Sequence, residues 1–202
     1  MTAMILDPDL ISFRRLTQDD LPLMHRWLNT EHVARWYRVR GVSEPSLEWV
    51  TARYLPRIRG DDPTRAFVIS LGARPIGYIQ AYLIADNPEY AAQVQVEEGA
   101  AGVDMFIGEV DVVHQGLGSH IVHRFLREVV FREMGATACI LGPEPQNVNA
   151  IRAYEKAGFR YLKTVPTPGG DAEYEYVMRI SRAEVIDISS DIDATLLEGP
   201  LL

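Results

Sequence analysis

The chain has 202 residues and carries 20 Lys+Arg against 28 Asp+Glu, a formal net charge of −8. That length suits one ordinary domain, and the acidic balance argues against broad nucleic-acid contact, which needs clustered Lys and Arg. A single cysteine, Cys139, excludes an intramolecular disulfide and a zinc cluster of thiolates, and no apolar run reaches the ~20 residues of a membrane span.

Residues 11–16 read as a strand. Thr17 then offers its hydroxyl to the free N–H groups of a helix over 19–28, where Leu21, Met24, Trp27 and Leu28 recur at helical spacing. A second helix begins near Glu44-Pro45, carries Leu47, Val50 and Tyr54 on one face, and is disturbed at its end by Pro56. Residues 66–71 and 76–84 form a hairpin of two apolar strands around a turn at 72–75. Residues 86–99 are polar and read as a loop, with Asp86, Glu89, Glu97 and Glu98 as its acids. A strand over 101–110 follows. Then come His114-Gln115-Gly116-Leu117-Gly118 and a helix with Ile121, Val122, Phe125, Leu126, Val129 and Val130 on one face. The remainder reads as a strand over 137–141, a helix over 147–157, and strands over 160–167 and 172–180 around a turn at 168–170. The tail from 181 to 202 is acidic and stands apart from the domain of residues 1–180.

Two segments carry chemistry. A glycine turn leading into a helix presents unpaired backbone N–H groups and the positive end of the helix dipole, which suits phosphate. Gly116 and Gly118 allow close approach there, although a plain tight turn remains the alternative. The stretch lacks both the Gly-Lys-Ser/Thr of a nucleotide P-loop and a dinucleotide fingerprint. Some thirty residues on, Asn147 to Phe159 forms a short helix ended by Gly158, with Ala150, Tyr154 and Ala157 on one face. Simple packing of Tyr154 against the sheet is the competing explanation. Cys139 sits in an apolar strand and reads as a small buried hydrophobe. The five histidines show no metal-ligand spacing, so no metal is expected.

These two segments, in this order, resemble the GNAT acetyltransferase superfamily. Asn147, Ala150, Tyr154, Gly158 and Phe159 match its Asn-x-x-Ala-x-x-x-Tyr-x-x-x-Gly-Phe pattern. The resemblance implies an α/β (α+β) GNAT fold, with a mixed, mostly antiparallel central sheet of about seven strands flanked by about four helices. It also implies acetyl-CoA as co-substrate, gripped at Val110, Gln115, Gly116, Leu117, Gly118, Ser119, His120, Asn149 and Tyr154. One departure is visible: the Gln/Arg that opens the pyrophosphate motif falls on Val113, which leaves the backbone amides to bind the phosphates.

Within the superfamily the chain looks most like aminoglycoside 6'-N-acetyltransferases. Trp27-Leu28-Asn29, His32-Val33, Trp36, Pro75 to Gln80, Gly102-Val103-Asp104 and Arg152 to Phe159 carry that likeness. It implies direct transfer of acetyl to a 6'-amine and antibiotic resistance; a cytoplasmic location is expected from the single cysteine and from the lack of a visible secretory signal or membrane span. Asp104 would take the amine's proton, Tyr154 would protonate the leaving thiolate, and an N–H around residues 108–110 would hold the oxyanion. Trp36, Tyr37, Gln80, Glu97, Glu98, Asp104 and Asp171 would line the acceptor site, with Trp27 either beside them or in the core. Family carboxylates are replaced at Gly142 and Gly169, with Asp171 near the second. A monomer or homodimer is expected, with neither nucleic acid nor membrane as partner. The alternatives are transfer to another amine, such as a siderophore lysine side chain, and a degenerate acyl-CoA-binding module.

Overall fold

The computed structural model describes residues 6–37, 42–167 and 174–185. The expected turn at 168–170, Asp171 and most of the acidic tail therefore lie outside the described residues. Seven strands form one sheet: β1 (Ile11–Arg15), β2 (Arg65–Leu71), β3 (Arg74–Leu83), β4 (Ala101–Ile107), β5 (Ala138–Leu141), β6 (Arg160–Pro166) and β7 (Tyr174–Ser181). Their order is β1-β2-β3-β4-β5-β7-β6, and every neighbouring pair is antiparallel except β4 and β5. The mixed, mostly antiparallel sheet is the one the sequence leads one to expect. Six α-helices are described: α1 (Leu21–Leu28), α2 (Glu31–Ala34), α3 (Leu47–Arg59), α4 (Pro88–Val94), α5 (Leu117–Phe125) and α6 (Val148–Lys156).

Both faces of the central strands are covered, which explains why β2 and β3 read as unbroken apolar runs instead of alternating ones. Phe67, Ile69 and Ile79 pack with Ile121, Val122 and Phe125 of α5. On the opposite face, Ala66, Val68 and Tyr78 pack with Met24 and Trp27 of α1 and with Val50 and Tyr54 of α3. Beyond Phe125 the α5 helix continues over Leu126–Glu133 in wider π winding, with the Met134 N–H on the Val129 carbonyl at 2.9 Å. That winding buries the consecutive Val129, Val130 and Phe131 together.

Several elements differ from expectation: α2 is unanticipated, and β4 stops at Ile107, short of residue 110. The α1 helix begins at Leu21 after a 3₁₀ turn, and Thr17 gives its hydroxyl and N–H to the Asp20 carboxylate at 2.8 and 2.9 Å. The α3 helix starts after Ser46, whose hydroxyl accepts the Trp49 N–H at 3.2 Å. It passes through Pro56 and stops at Gly60, whose φ of +84° ends it. Residues 86–99 hold α4 and are not an open loop: Tyr90, Ala91 and Val94 meet Ile84 and Val177 in a third apolar cluster.

The end of β4 is pinned to α1. The ring of Trp27 lies so close to Gly108 that a Cβ there would come within 2.3 Å of it. The indole N–H donates to the Glu109 carboxylate at 2.8 Å, and Arg26 also pairs with that carboxylate. Trp27 is thus core and anchor. Gly108→Ala must displace a fully buried indole. It should lower stability by about 1–3 kcal/mol, read as a lower urea midpoint with altered tryptophan fluorescence.

Candidate active site

Strand pairing creates the site. The parallel pair β4–β5 holds only at Ala101↔Cys139 and Gly102↔Ile140, whereas β3 and β4 stay in register to Gly77↔Ile107. Beyond Gly102, β4 therefore parts from β5. Along β4 the even-numbered residues bond to β3: the Ala100 carbonyl accepts the Ile84 N–H at 2.9 Å, and the Gly108 N–H reaches the Ile76 carbonyl at 2.8 Å. Alternation turns the amides of Met105 and Ile107 the other way, into the gap. The Ile107 carbonyl points there too, 3.0 Å from Nε2 of His32. The oxyanion donors expected around residues 108–110 are corrected accordingly. The Gly108 and Glu109 amides both serve the Ile76 carbonyl, at 2.8 and 3.2 Å, and Val110 is 72% exposed.

Two cavities open on the gap, of about 580 and 590 Å³, and the residues they share are Asp104, Leu141 and Gly142. The larger is lined by Gly116, Leu117, Gly118, Ser119, Asn149 and Tyr154, six of the residues expected to grip the coenzyme. Gly116 caps α5 with φ +81°, so the free amides of the first turn face this cavity. Asn147 caps α6 by accepting the Ala150 N–H at 3.2 Å. The helix then presents Asn149, Arg152, Ala153 and Lys156 on one face, at spacings of three and four. Arg152 and Lys156 are the basic wall that sequence reasoning missed, although that spacing was there to be read. Val113 also lines this cavity, while Val110, Gln115 and His120 do not. Gly118 is crowded by nothing closer than the Ala153 methyl, 3.4 Å from where a Cβ on residue 118 would stand.

The other cavity is acidic. Its wall carries Asp61, Asp62, Asp86, Asp104 and Glu175 against one guanidinium, Arg57. Of the expected acceptor residues, Gln80 and Asp104 lie here, and Tyr82 and Tyr90 supply the aromatic surface. Trp36 and Tyr37 instead wall the coenzyme-side cavity beside His32, with Tyr37 edge-on to Phe106 at 4.9 Å. Glu97 and Glu98 line neither cavity. Glu97 pairs with Arg179, and the Glu98 carbonyl accepts the Thr137 hydroxyl at 2.9 Å, so both stitch the approach to β4 onto its neighbours.

Asp104 sits at the junction inside an ordered chain of hydrogen bonds. The Gln80 carbonyl oxygen takes Arg57 at 2.6 Å and the Tyr78 hydroxyl at 2.7 Å, which forces the Gln80 amide nitrogen toward Asp104 Oδ2 at 2.7 Å. Burial raises the Asp104 carboxyl above the ordinary range, while Gln80 and Arg57 restrain the rise. Burial likewise lifts the Tyr154 phenol, which is therefore a protonated donor at neutral pH. Cys139 is fully buried, and its thiol is pushed up by burial and by the charge of Asp104. A buried thiol of that kind is no nucleophile.

The family model for the acetyltransferase (GNAT) domain matches residues 17–167. A similar protein is aminoglycoside N(6')-acetyltransferase type 1 of Klebsiella pneumoniae, 32% identical over 166 residues and covering 82% of each chain. The protein of that name from Serratia marcescens matches equally. Among solved structures, the aminoglycoside acetyltransferase AAC(6')-Ib with coenzyme A superposes with a TM-score of 0.77 at 28% identity, covering 89% of this chain and 99% of that one. The same enzyme with coenzyme A and kanamycin gives 0.76 over the same shares.

A carboxyl whose folded pKa is raised is comfortable in the fold only when protonated. Its charge opposes folding above that pKa, and the opposition vanishes below the ordinary carboxylate range. Asp104→Asn should therefore raise the melting temperature of the ligand-free protein at pH 7–8. The gain over wild type should close as the pH is lowered through the carboxylate range in a thermal scan.

Proposed function

The chain belongs to the GNAT acetyltransferase family, and we propose that it transfers acetyl from acetyl-CoA to the 6'-amine of aminoglycosides, conferring resistance to them. The observation that carries this reading is that a cavity walled by five carboxylates, fit for a polycation, meets at Asp104 a second cavity that offers the α5 first turn, Arg152 and Lys156 to a phosphate-bearing thioester, with Glu144 as its other acid. Five carboxylates around one cavity suit an acceptor with several ammonium groups better than the single amine of a lysine side chain. A cytoplasmic location belongs to the same reading.

The first turn of α5 and the Arg152–Lys156 face of α6 suit the phosphates of acetyl-CoA, which supplies the acetyl group already activated as a thioester. The acceptor arrives as an ammonium with three protons and no lone pair. Asp104, kept an acceptor by Gln80, takes one of them and frees the nitrogen to attack. The Met105 and Ile107 amides lie where negative charge develops on the acyl oxygen, in the gap between β4 and β5. Tyr154 gives its proton to the departing sulfur and is recharged by the second proton leaving nitrogen. The third stays on the amide. Direct transfer needs no covalent enzyme intermediate.

Asp104→Asn should lower kcat for kanamycin by about 10²-fold or more, and Tyr154→Phe by about 10²–10⁴-fold, with acetyl-CoA affinity kept in both. Thiol-release kinetics with calorimetric titration of the coenzyme checks these values. Wild type should acetylate kanamycin-like substrates with a 6'-amine and spare analogues with a 6'-hydroxyl. Because Asp104 must be ionised, the acid limb of kcat/KM should fall above the ordinary carboxylate range. Equal turnover of both acceptor kinds defeats the 6' assignment. Turnover of a lysine-derived amine alone replaces it with the siderophore reading.

Gly118→Ala separates the coenzyme contact from folding. The methyl meets only Ala153, and alanine favours a helix by up to about 1 kcal/mol over glycine. The variant should melt no lower than wild type yet bind acetyl-CoA more weakly in calorimetry.

A further inference from the structure

The acceptor cavity contains a carboxylate that the sequence does not advertise. Glu175 stands on β7, two strands away from Asp104 in the sheet. The ladder between β5 and β7 brings it to the junction: Leu141 pairs with Met178, and beyond the strand the Tyr176 N–H still reaches the Pro143 carbonyl at 2.9 Å. Its Oε2 lies 2.6 Å from the place a Cβ on residue 142 would occupy. Gly142 belongs to both cavities, so this oxygen sits beside the point where they meet. Gly142 is not among the glycines of positive φ, so its backbone would accept a side chain, and the three atoms nearest to that Cβ position all belong to Glu175.

The carboxylate is held by the Tyr90 hydroxyl of α4, which donates to Oε2 at 3.0 Å. Burial raises the Glu175 carboxyl, and the negative charge of Asp104 adds to the rise. Both acids line one cavity, and the cost that the charge of Asp104 imposes on Glu175 is relieved by a cation placed between them.

We propose that Glu175 is the second carboxylate of an acceptor clamp, taking the reacting ammonium opposite Asp104 through the space that Gly142 leaves free. It is a specificity-determining and positioning residue; the proton still goes to Asp104. The inference rests on the acetyl-transfer reading of the site.

The test uses kanamycin and acetyl-CoA with the full-length protein. Glu175→Gln should raise the KM for kanamycin by about 10- to 100-fold, the worth of a hydrogen bond to a charged group. The acetyl-CoA KM should stay unchanged, and kcat should remain within a few-fold of wild type. Calorimetry should show the same loss in kanamycin affinity. A rescue separates charge from bracing. In Glu175→Ala/Gly142→Asp, the carboxylate moves onto the loop, into the vacated volume, and should recover most of the lost kanamycin affinity. If Glu175 merely steadied α4 through Tyr90, Tyr90→Phe would reproduce the entire loss and the double variant would stay impaired, which overturns the proposal. Wild-type turnover with an unchanged kanamycin KM in Glu175→Gln also overturns it. Wild type that neither binds nor acetylates kanamycin overturns the reading of the site itself.

Discussion

The site depends on the weakest seam of the sheet. Parallel pairing is slightly less stable per residue than antiparallel pairing, and β4–β5 is the one parallel neighbour pair among the described strands. Each of the two strands keeps its antiparallel partner: β4 follows β3 to Ile107, and the line of β5 follows β7 beyond Leu141. The two-pair contact between them is what remains. Were that ladder to continue, the Met105 and Ile107 amides would be consumed by β5. The cavities on either side would then be separate. The two cavities that share Asp104 open where backbone pairing is given up.

Opening the seam has an energetic cost that the surrounding residues contain. Asp104 is taken into a region of low dielectric, where an unpaired charge is expensive, and a chain from Arg57 through Gln80 meets it with an oriented donor. The orientation of Gln80 is itself fixed, because two donors occupy its oxygen. The far wall is tied down in a similar way. Residues of α4 reach β6 and β7 through Tyr90 on Glu175, Gln93 on the Pro166 carbonyl and Lys163 on the Val94 carbonyl. A cavity whose polar groups are fastened from three directions holds its shape before a ligand arrives, and binding then spends little on ordering it.

Much of this was legible in the chain because local rules and global fold agree. The Asn147 cap, the Tyr154 face and the Gly158 stop mark α6 almost to the residue, and Gly116 marks the start of α5 through a backbone angle few other residues tolerate. Asp104 could be found because it stands on the strand that leads into the glycine loop. What stayed hidden was nonlocal. The stretch 86–99 looks like solvent-facing loop because its four apolar contacts, Tyr90, Ala91, Val94 and Val96, are diluted by charge. The choice of Glu97 and Glu98 followed nearness in sequence to β4. Strand order instead delivers Glu175, 71 positions after Asp104, and sends Glu97 to Arg179. Which amides point into the gap also depends on register, which no single strand reveals.

The contact between Gly142 and Glu175 bears on how such proteins diverge. Compared column by column with relatives that carry an acid in the loop before α6, this chain has lost a charge. In space the charge is present, delivered from another strand into the same volume. A side chain at 142 would come within 2.6 Å of the Glu175 carboxylate, so an acid installed there must push the Glu175 side chain aside. Removing Glu175 first leaves the wall without either. The two positions are therefore coupled: what a side chain at one can do depends on what stands at the other. Chains that place the acid on either position should keep equivalent pockets while looking, in alignment, as though one of them had decayed.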